Sequence, residues 1–312
     1  MRLDKAIKYL RHARNFAQEF SKDRSTKVGM SFLHATDYTI ICSGYNGQPR
    51  GADDEAPERH ERPLKYEYAE HAERNGIFNL VRPLLRGSVV LTTEPPTMSI
   101  ARAVISVGAS EIWFPQVEDT TNGQAQRAFQ LFAETGVRAG RYADGEFQGL
   151  EDGRHARKLA AYLRHLQSLR ENLAKDPLAG ATVFLAAETY TQLAEGYSGM
   201  PRGANDDEQC RYHGEERLFW VEDSVRNAIY NKAQPLLAGS IAVVTETPCA
   251  ECLRAIAAVG SKLVITTEPE AGFRERWHEQ LLRTRAMRQE LGIELVQVPR
   301  EALDSGASAP TG

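Results

Sequence analysis

Residues 44–54 read GYNGQPRGADD, and residues 196–206 read GYSGMPRGAND. The two stretches lie 152 positions apart, and the same offset relates Asn75 to Asn227 without a gap. This period is far longer than the roughly 20–50 residues of solenoid repeats, and each copy is long enough to bury its own core. The sequence therefore predicts a duplicated domain.

Each copy shows the same order of patterns. An amphipathic helix comes first, two apolar strands precede the Gly-Tyr-x-Gly turn, and helices and strands then alternate. Strands that alternate with helices indicate a sheet covered by helices, so the predicted class is α/β. The polar, Gly-rich residues 145–153 predict a boundary that divides the chain into domains at 1–150 and 151–305. Residues 306–312 have the composition of a disordered tail.

Composition excludes several classes of function. The chain has 312 residues, a net charge of −4 and 42% hydrophobic residues, which is typical of a globular protein without a general attraction for nucleic acid or membranes. No apolar run approaches the roughly 20 residues that cross a bilayer. The 4 cysteines make a poor disulfide framework for this length, so a reduced, cytoplasmic protein is expected.

Two short motifs carry metal chemistry. Copy one contains His71-Ala72-Glu73, and copy two contains Pro248-Cys249-Ala250-Glu251-Cys252. Zinc deaminases of nucleotides place a His and a Glu at the start of one helix and Pro-Cys-x-x-Cys at the start of the next. In such sites the Glu transfers protons and the other three side chains bind the metal. Each motif alone is a weak signal, whereas their order and setting strengthen it.

Copy one resembles deoxycytidylate deaminase through its ST-x-VG block, its GYNG-x-PRG block and HAERN. The resemblance implies a five-stranded mixed sheet flanked by helices in each copy, and a pyrimidine deoxynucleotide monophosphate as the ligand. It further implies that Glu73 transfers protons and that His71 binds metal. Asn46 and Asn75 are then expected on the substrate side, with Asn46 at the sugar. The residues expected near the phosphate are Ser25, Lys27 and Arg50.

The two copies differ at the ligand positions. In the ungapped alignment Cys249 matches Thr97 and Cys252 matches Ile100, so copy one alone lacks both thiolates and is expected to be free of metal. Copy two retains both cysteines and offers Asp223 as an oxygen ligand, which predicts a structural zinc held by Cys249, Cys252 and Asp223. Copy two has Val225 where copy one has Glu73, and is not expected to deaminate.

Simpler interpretations stay open for both motifs. His71 and Glu73 could be remnants at a helix N-terminus, where a carboxylate is favoured in any case, and the cysteines could be buried apolar side chains. A composite site that joins His71 and Glu73 to Cys249 and Cys252 is geometrically difficult if both motifs belong to adjacent helices of one domain. Two functions follow: a nucleotide deaminase or a diverged, metal-free enzyme, and a pseudo-deaminase that binds or senses a nucleotide. A homodimer is one expected assembly.

Overall fold

The structure is a computed structural model that describes residues 1–116, 123–144, 146–150, 153–276 and 278–304. The expected tail at 306–312 lies outside the described residues, as do three residues of the expected boundary, 145, 151 and 152. The helices are α1 Leu3–Phe20, α2 Lys65–Tyr68, α3 Ala72–Leu85, α4 Met98–Val107, α5 Gln124–Thr135, α6 Gly153–Leu173, α7 Gly214–Trp220, α8 Ser224–Leu237, α9 Ala250–Ala258, α10 Ala271–Arg276, α11 His278–Glu290 and α12 Glu301–Asp304. The strands are β1 Gly29–Leu33, β2 Ile40–Tyr45, β3 Val89–Thr92, β4 Glu111–Pro115, β5 Arg138–Ala143, β6 Glu146–Phe147, β7 Ala181–Leu185, β8 Gln192–Tyr197, β9 Ile241–Val244, β10 Leu263–Thr267 and β11 Glu294–Val298.

The strands form two mixed sheets, and each sheet takes strands from both copies. The first sheet has the order β11-β10-β9-β1-β2, and the second has the order β6-β5-β4-β3-β7-β8. The copies meet where β1 pairs antiparallel with β9 and β3 pairs antiparallel with β7. Met30 thus lies opposite Val244, and Leu91 lies opposite Val183. The predicted α/β class with mixed sheets flanked by helices is confirmed, although the second sheet has six strands where five were expected, because β6 pairs with β5 at its edge.

The sheets do not follow the predicted division of the chain. Residues 1–150 supply β1 and β2 to the first sheet but β3–β6 to the second, and residues 151–305 are divided in the same way. The ranges 1–150 and 151–305 therefore describe sequence repeats, and neither contains a whole sheet. The physical reason lies in the duplication, because β3 and β9 are equivalent apolar strands and either could accept β1 as its neighbour.

The first helix of each copy, α1 or α6, packs against a strand of the other copy. Leu10 of α1 packs in one apolar cluster with Val243 of β9 and Ile265 of β10, although these residues belong to different copies. Leu163 of α6 packs likewise against Leu91 of β3. Helices α3, α4, α8 and α9 contact one another between the two sheets. The exchange therefore places helices of different copies side by side.

The first glycine of the repeated turn motif is required by packing. A Cβ atom on Gly44 would lie 2.3 Å from the carbonyl oxygen of Ala72, so β2 passes α3 at backbone contact. The equivalent Gly196 meets Ala228 in the same way. Glycine at this position fixes where α3 begins relative to the sheet, and it therefore helps to position His71 and Glu73.

Candidate functional site

Two helix N-termini from different copies converge on one cluster. His71 is the N-cap of α3, and Cys249 is the N-cap of α9, with Cys252 in the first turn of α9. His71 Nδ1 lies 3.1 Å from Cys252 Sγ and 3.6 Å from Cys249 Sγ, and the two sulfur atoms are 3.7 Å apart. All three potential ligand atoms lie within 4.8 Å of one another. The cluster joins the halves of the motif that the sequence divides between the copies.

The expectation that ligands from different copies lie too far apart is wrong. It assumed that both helices of the motif belong to one repeat, whereas the β1–β9 pairing places α3 of copy one next to α9 of copy two. Asp223 does not join the cysteines: its Oδ2 accepts a hydrogen bond from Ser99 Oγ at 2.9 Å, and its Oδ1 accepts from the backbone N–H of Arg226 at 2.8 Å. The predicted set of Cys249, Cys252 and Asp223 is therefore corrected to His71, Cys249 and Cys252.

The chemistry of these donors fits zinc. One imidazole nitrogen and two thiol sulfurs are the ligand types that zinc prefers, and three protein ligands leave a fourth position for water or substrate. A hydrogen bond from Cys252, together with the nearby charge of His71, holds the pKa of the Cys249 thiol well below its usual value. The thiolate is the form that binds metal. The predicted location of zinc in copy two alone, with copy one free of metal, does not describe this cluster, because His71 comes from copy one.

Glu73 lies beside the cluster in the first turn of α3. Its side chain is buried and lies within hydrogen-bonding reach of Cys252. Burial raises the pKa of Glu73 above its ordinary value, because the ionised form loses its hydration. The carboxyl group is therefore next to the three potential ligands without being one of them, which is the arrangement that proton transfer requires.

The residue expected at the sugar, Asn46, organises a loop in this structure. The amide of Asn46 accepts hydrogen bonds from the Val28 N–H and the Ser21 hydroxyl, and it donates to Asp23 and to the Thr26 carbonyl, at 2.8–3.2 Å. An amide group has two donor hydrogens and two acceptor sites, so these four bonds use its whole capacity. Asn46 therefore holds the loop at residues 21–28 in place.

The remaining substrate-side candidates are distributed around that loop and the turn. Asn75 donates to the carbonyl of Tyr45 at 2.9 Å, Ser25 accepts from Lys65 at 2.6 Å, and Lys27 donates to the carbonyl of Gln18 at 3.0 Å. The exposed Arg50 reaches Asn79 at 3.4 Å. Arg50 also lines a cleft of about 150 Å³ beside the turn, together with Arg59, His60 and Lys65. Sequence reasoning did not single out Lys65 or its buried partner Asp23.

The positions equivalent to His71, Cys249 and Cys252 are Asp223, Thr97 and Ile100, which we call the second group. They form a different kind of site. Asp223 is the N-cap of α8 and accepts from the Arg226 N–H, and Thr97 is the N-cap of α4 and accepts from the Ile100 N–H. Asp and Thr are favoured N-caps, whereas His71 and Cys249 make no side-chain cap hydrogen bond. Asp223 and Thr97, which occupy the positions of His71 and Cys249, thus stabilise the starts of their helices.

The carboxylate of Glu94 lies beside this second group. It accepts hydrogen bonds from Ser198 Oγ at 2.7 Å, from the Ser224 N–H at 3.0 Å and from Ser224 Oγ at 2.5 Å. A Cβ atom on Gly180 would lie 1.8 Å from Cγ of Glu94, so the side chain is closely packed. Glu94 belongs to copy one and its serine partners to copy two, and the contact therefore joins the repeats.

Glu94→Gln is expected to stabilise the protein at pH 8. Burial and the nearby Asp223 charge raise the pKa of Glu94 from 4.5 to about 7, so the folded state binds this proton more tightly than the unfolded state. Stability is therefore lost as the pH rises from about 4.5 to 7, and a neutral Gln removes that loss, which amounts to roughly 1–3 kcal/mol. Urea unfolding at pH 5 and pH 8 measures the difference in the free energy of unfolding between Glu94→Gln and the wild type. Glu246→Gln, at the equivalent and partly exposed position, is the control and should show no such gain.

Sequence reasoning missed a buried ionic cluster at the contact between the copies. Arg226 of copy two donates to Glu70 of copy one at 3.1 Å, and Arg102 donates to the same carboxylate at 3.3 Å. Buried charges are tolerated when they are paired, and removal of one partner costs about 3–5 kcal/mol. The sequence does show that the charged residues of this cluster are repeated 152 positions apart: Glu70 and Glu222, Arg74 and Arg226, Arg102 and Arg254.

The chain is similar to several known proteins. Residues 3–114 match the family model of the cytidine and deoxycytidylate deaminase zinc-binding region. An uncharacterized deaminase from the luxG 3′ region of Aliivibrio fischeri is 33% identical over 122 residues, which are 38% of this chain and 80% of that protein. The deoxycytidylate deaminase of Homo sapiens is 31% identical over 122 residues, 38% of this chain and 68% of that protein. A crystal structure of dCMP deaminase from the cyanophage S-TIM5, in complex with dCMP and dUMP, is 20% identical with a TM-score of 0.22, and covers 46% of this chain and 99% of that one.

No helix among the described residues is long and apolar enough to cross a membrane.

Proposed function

Because the chain belongs to the cytidine and deoxycytidylate deaminase family, we propose that it deaminates a pyrimidine deoxynucleotide monophosphate, such as dCMP, at a zinc site built from both repeats. The observation that carries the proposal is the approach of His71 to Cys249 and Cys252 within 4.8 Å, with Glu73 buried beside them. The same residues belong to incomplete motifs when each repeat is considered alone. Within the described part of the chain, the proposed enzyme therefore has one complete site.

The proposed reaction replaces the amino group of the base with oxygen. A zinc ion held by His71, Cys249 and Cys252 would supply the Lewis acidity that allows water to attack the ring carbon at neutral pH. Glu73 takes one proton from the attacking water and passes it to the ring nitrogen; it then takes the second proton, from the hydroxyl group added to the ring carbon, and delivers it to the leaving amine. A carbon–oxygen bond forms, the carbon–nitrogen bond breaks, and ammonia leaves. The sum of the reaction is cytosine base plus water to uracil base plus ammonia.

On the substrate side, the proposal assigns binding to the turn and the cleft beside it. Arg50 is exposed at that cleft and suits a phosphate group, because a guanidinium can bind phosphate oxygens bidentately. Lys27 and Ser25 lie on the neighbouring loop, which Asn46 holds in place. Asn75 fixes the strand end at Tyr45, next to Asn46.

The test is zinc-dependent turnover of defined nucleotides. Purified protein loaded with zinc, at about one ion per chain, should convert dCMP to dUMP with release of an equal amount of ammonia. Chelation should abolish turnover, and zinc should restore it. Parallel assays with CMP, dCTP and a 5-substituted dCMP define the substrate. If the zinc-loaded chain binds dCMP but releases no ammonia from any of these nucleotides, the protein is a nucleotide-binding pseudo-deaminase.

A further inference from the structure

Arg74 joins the two helices that carry the potential ligands. It directly follows Glu73 in α3, its side chain is fully buried, and its guanidinium pairs with Glu70 and with Glu251. Glu251 lies between Cys249 and Cys252 in the first turn of α9. The Arg74–Glu251 ion pair therefore connects copy one to copy two at the level of the three ligands. No step of the proposed mechanism uses either residue.

The second group of the chain provides an internal comparison. Arg226 is the equivalent of Arg74, is also buried, and also pairs with an acid that precedes its helix, Glu222. The position equivalent to Glu251 is Ser99, which donates to Asp223 instead of binding the arginine. The arginine is thus present in both copies, as Arg74 and Arg226. The acid, Glu251, is present only in the helix that carries the two cysteines. The shared role of the arginine is the buried ionic cluster, and the pair with Glu251 is particular to the His/Cys cluster.

We propose that the Arg74–Glu251 ion pair is a positioning element that holds α9 against α3 so that Cys249, Cys252 and His71 converge. This inference rests on the proposed zinc site. Residues outside the ligand set that orient ligands typically change metal affinity by about 10–100-fold when they are mutated. Here the orientation acts through a helix, because Glu251 follows Cys249 by two residues and precedes Cys252 by one. A pair that crosses the contact between the copies suits this task, since the ligands themselves come from both copies.

The variant that tests the inference is Glu251→Gln. It removes the charge from a partly exposed side chain and leaves the Arg74 guanidinium one acidic partner, Glu70. The zinc dissociation constant, measured by competition with a chromophoric chelator, should rise about 10–100-fold. Thermal unfolding of the metal-free protein should stay close to that of the wild type. Deamination of dCMP should fall at limiting zinc and recover at excess zinc, and Glu251→Asp should recover part of the affinity.

The matched control is Ser99→Ala, at the equivalent position of the second group. It removes a hydrogen bond to Asp223 and should leave the zinc affinity unchanged. Equal zinc affinities of the wild type and Glu251→Gln would overturn the inference and leave the proposed function intact. A wild-type chain that binds zinc but deaminates no nucleotide would overturn the proposed function, while the affinity comparison would still decide the positioning role. A wild-type chain that binds no zinc would overturn both.

Discussion

Glu73→Gln is expected to lower kcat for dCMP by about 10²–10⁴-fold, the usual contribution of a general acid–base group. Gln has nearly the same size and can form the same kind of hydrogen bonds, but it cannot take up or release a proton in the reaction. Zinc content and dCMP affinity should stay close to wild-type values, because Glu73 is not one of the three clustered ligands. Steady-state kinetics, metal analysis and equilibrium dialysis with dCMP measure the three quantities.

A second acid, Glu94, gives this experiment its control. Glu94→Gln makes the same chemical change at the other group of helix ends, where Thr97 and Ile100 stand in the cysteine positions. It should leave kcat unchanged, since Glu94 is hydrogen-bonded to Ser198 and Ser224 and not to the His/Cys cluster. Retention of more than roughly a tenth of the activity by Glu73→Gln would contradict the role of Glu73. Loss of zinc together with activity would mean that Glu73 supports the cluster structurally.

The sequence was sufficient to predict the fold class and the residue types of the site. Apolar periodicity predicted the alternation of strands and helices, and the zinc-deaminase motif placed His71 and Cys249 at the starts of helices, as observed. The motifs predicted metal ligands and a proton-transferring carboxylate. These features depend on local patterns that a single sequence displays, so each could be derived before any pairing of strands was known.

The pairing of the strands could not be derived, and the arrangement of the site depends on it. Residues of β3 and of its copy β9 are alike in apolar character, so the edge of β1 has two equivalent partners and the pattern does not distinguish them. Pairing within each repeat would leave His71 beside Thr97 and Ile100, whereas pairing between repeats brings His71 to Cys249. The ionic contact of Arg226 with Glu70 favours the second arrangement, and its repeated residues were visible in the sequence.

Asp223 was assigned to the metal because it occupies the position of His71 and because carboxylate oxygens can bind zinc. The same residue type is also among the best N-caps, and a single sequence does not separate the two roles. In the structure the cap is made, since Asp223 accepts from the Arg226 N–H at 2.8 Å.

His71→Asn and Asp223→Asn make the same final side chain at equivalent positions, and they are expected to have opposite effects on zinc. Asn is a favoured N-cap, so neither variant should lose the start of its helix. His71→Asn removes the imidazole from a cluster of three potential ligands and should reduce bound zinc from about one ion per chain to nearly none. Asp223→Asn should retain zinc, because Asp223 bonds to Ser99 and Arg226 and not to the cysteines.

Metal analysis after dialysis against a weak chelator measures the result, and thermal unfolding of the metal-free proteins checks that both variants fold. Cys249→Ser should lose zinc in parallel with His71→Asn, although the two residues come from different repeats. The opposite pattern, with zinc lost from Asp223→Asn and kept by His71→Asn, would place the metal within copy two alone and would contradict the exchange of strands between the repeats. Because the same pair of variants separates a site within one repeat from a site built by two, the zinc content of His71→Asn also tests the β1–β9 pairing in solution.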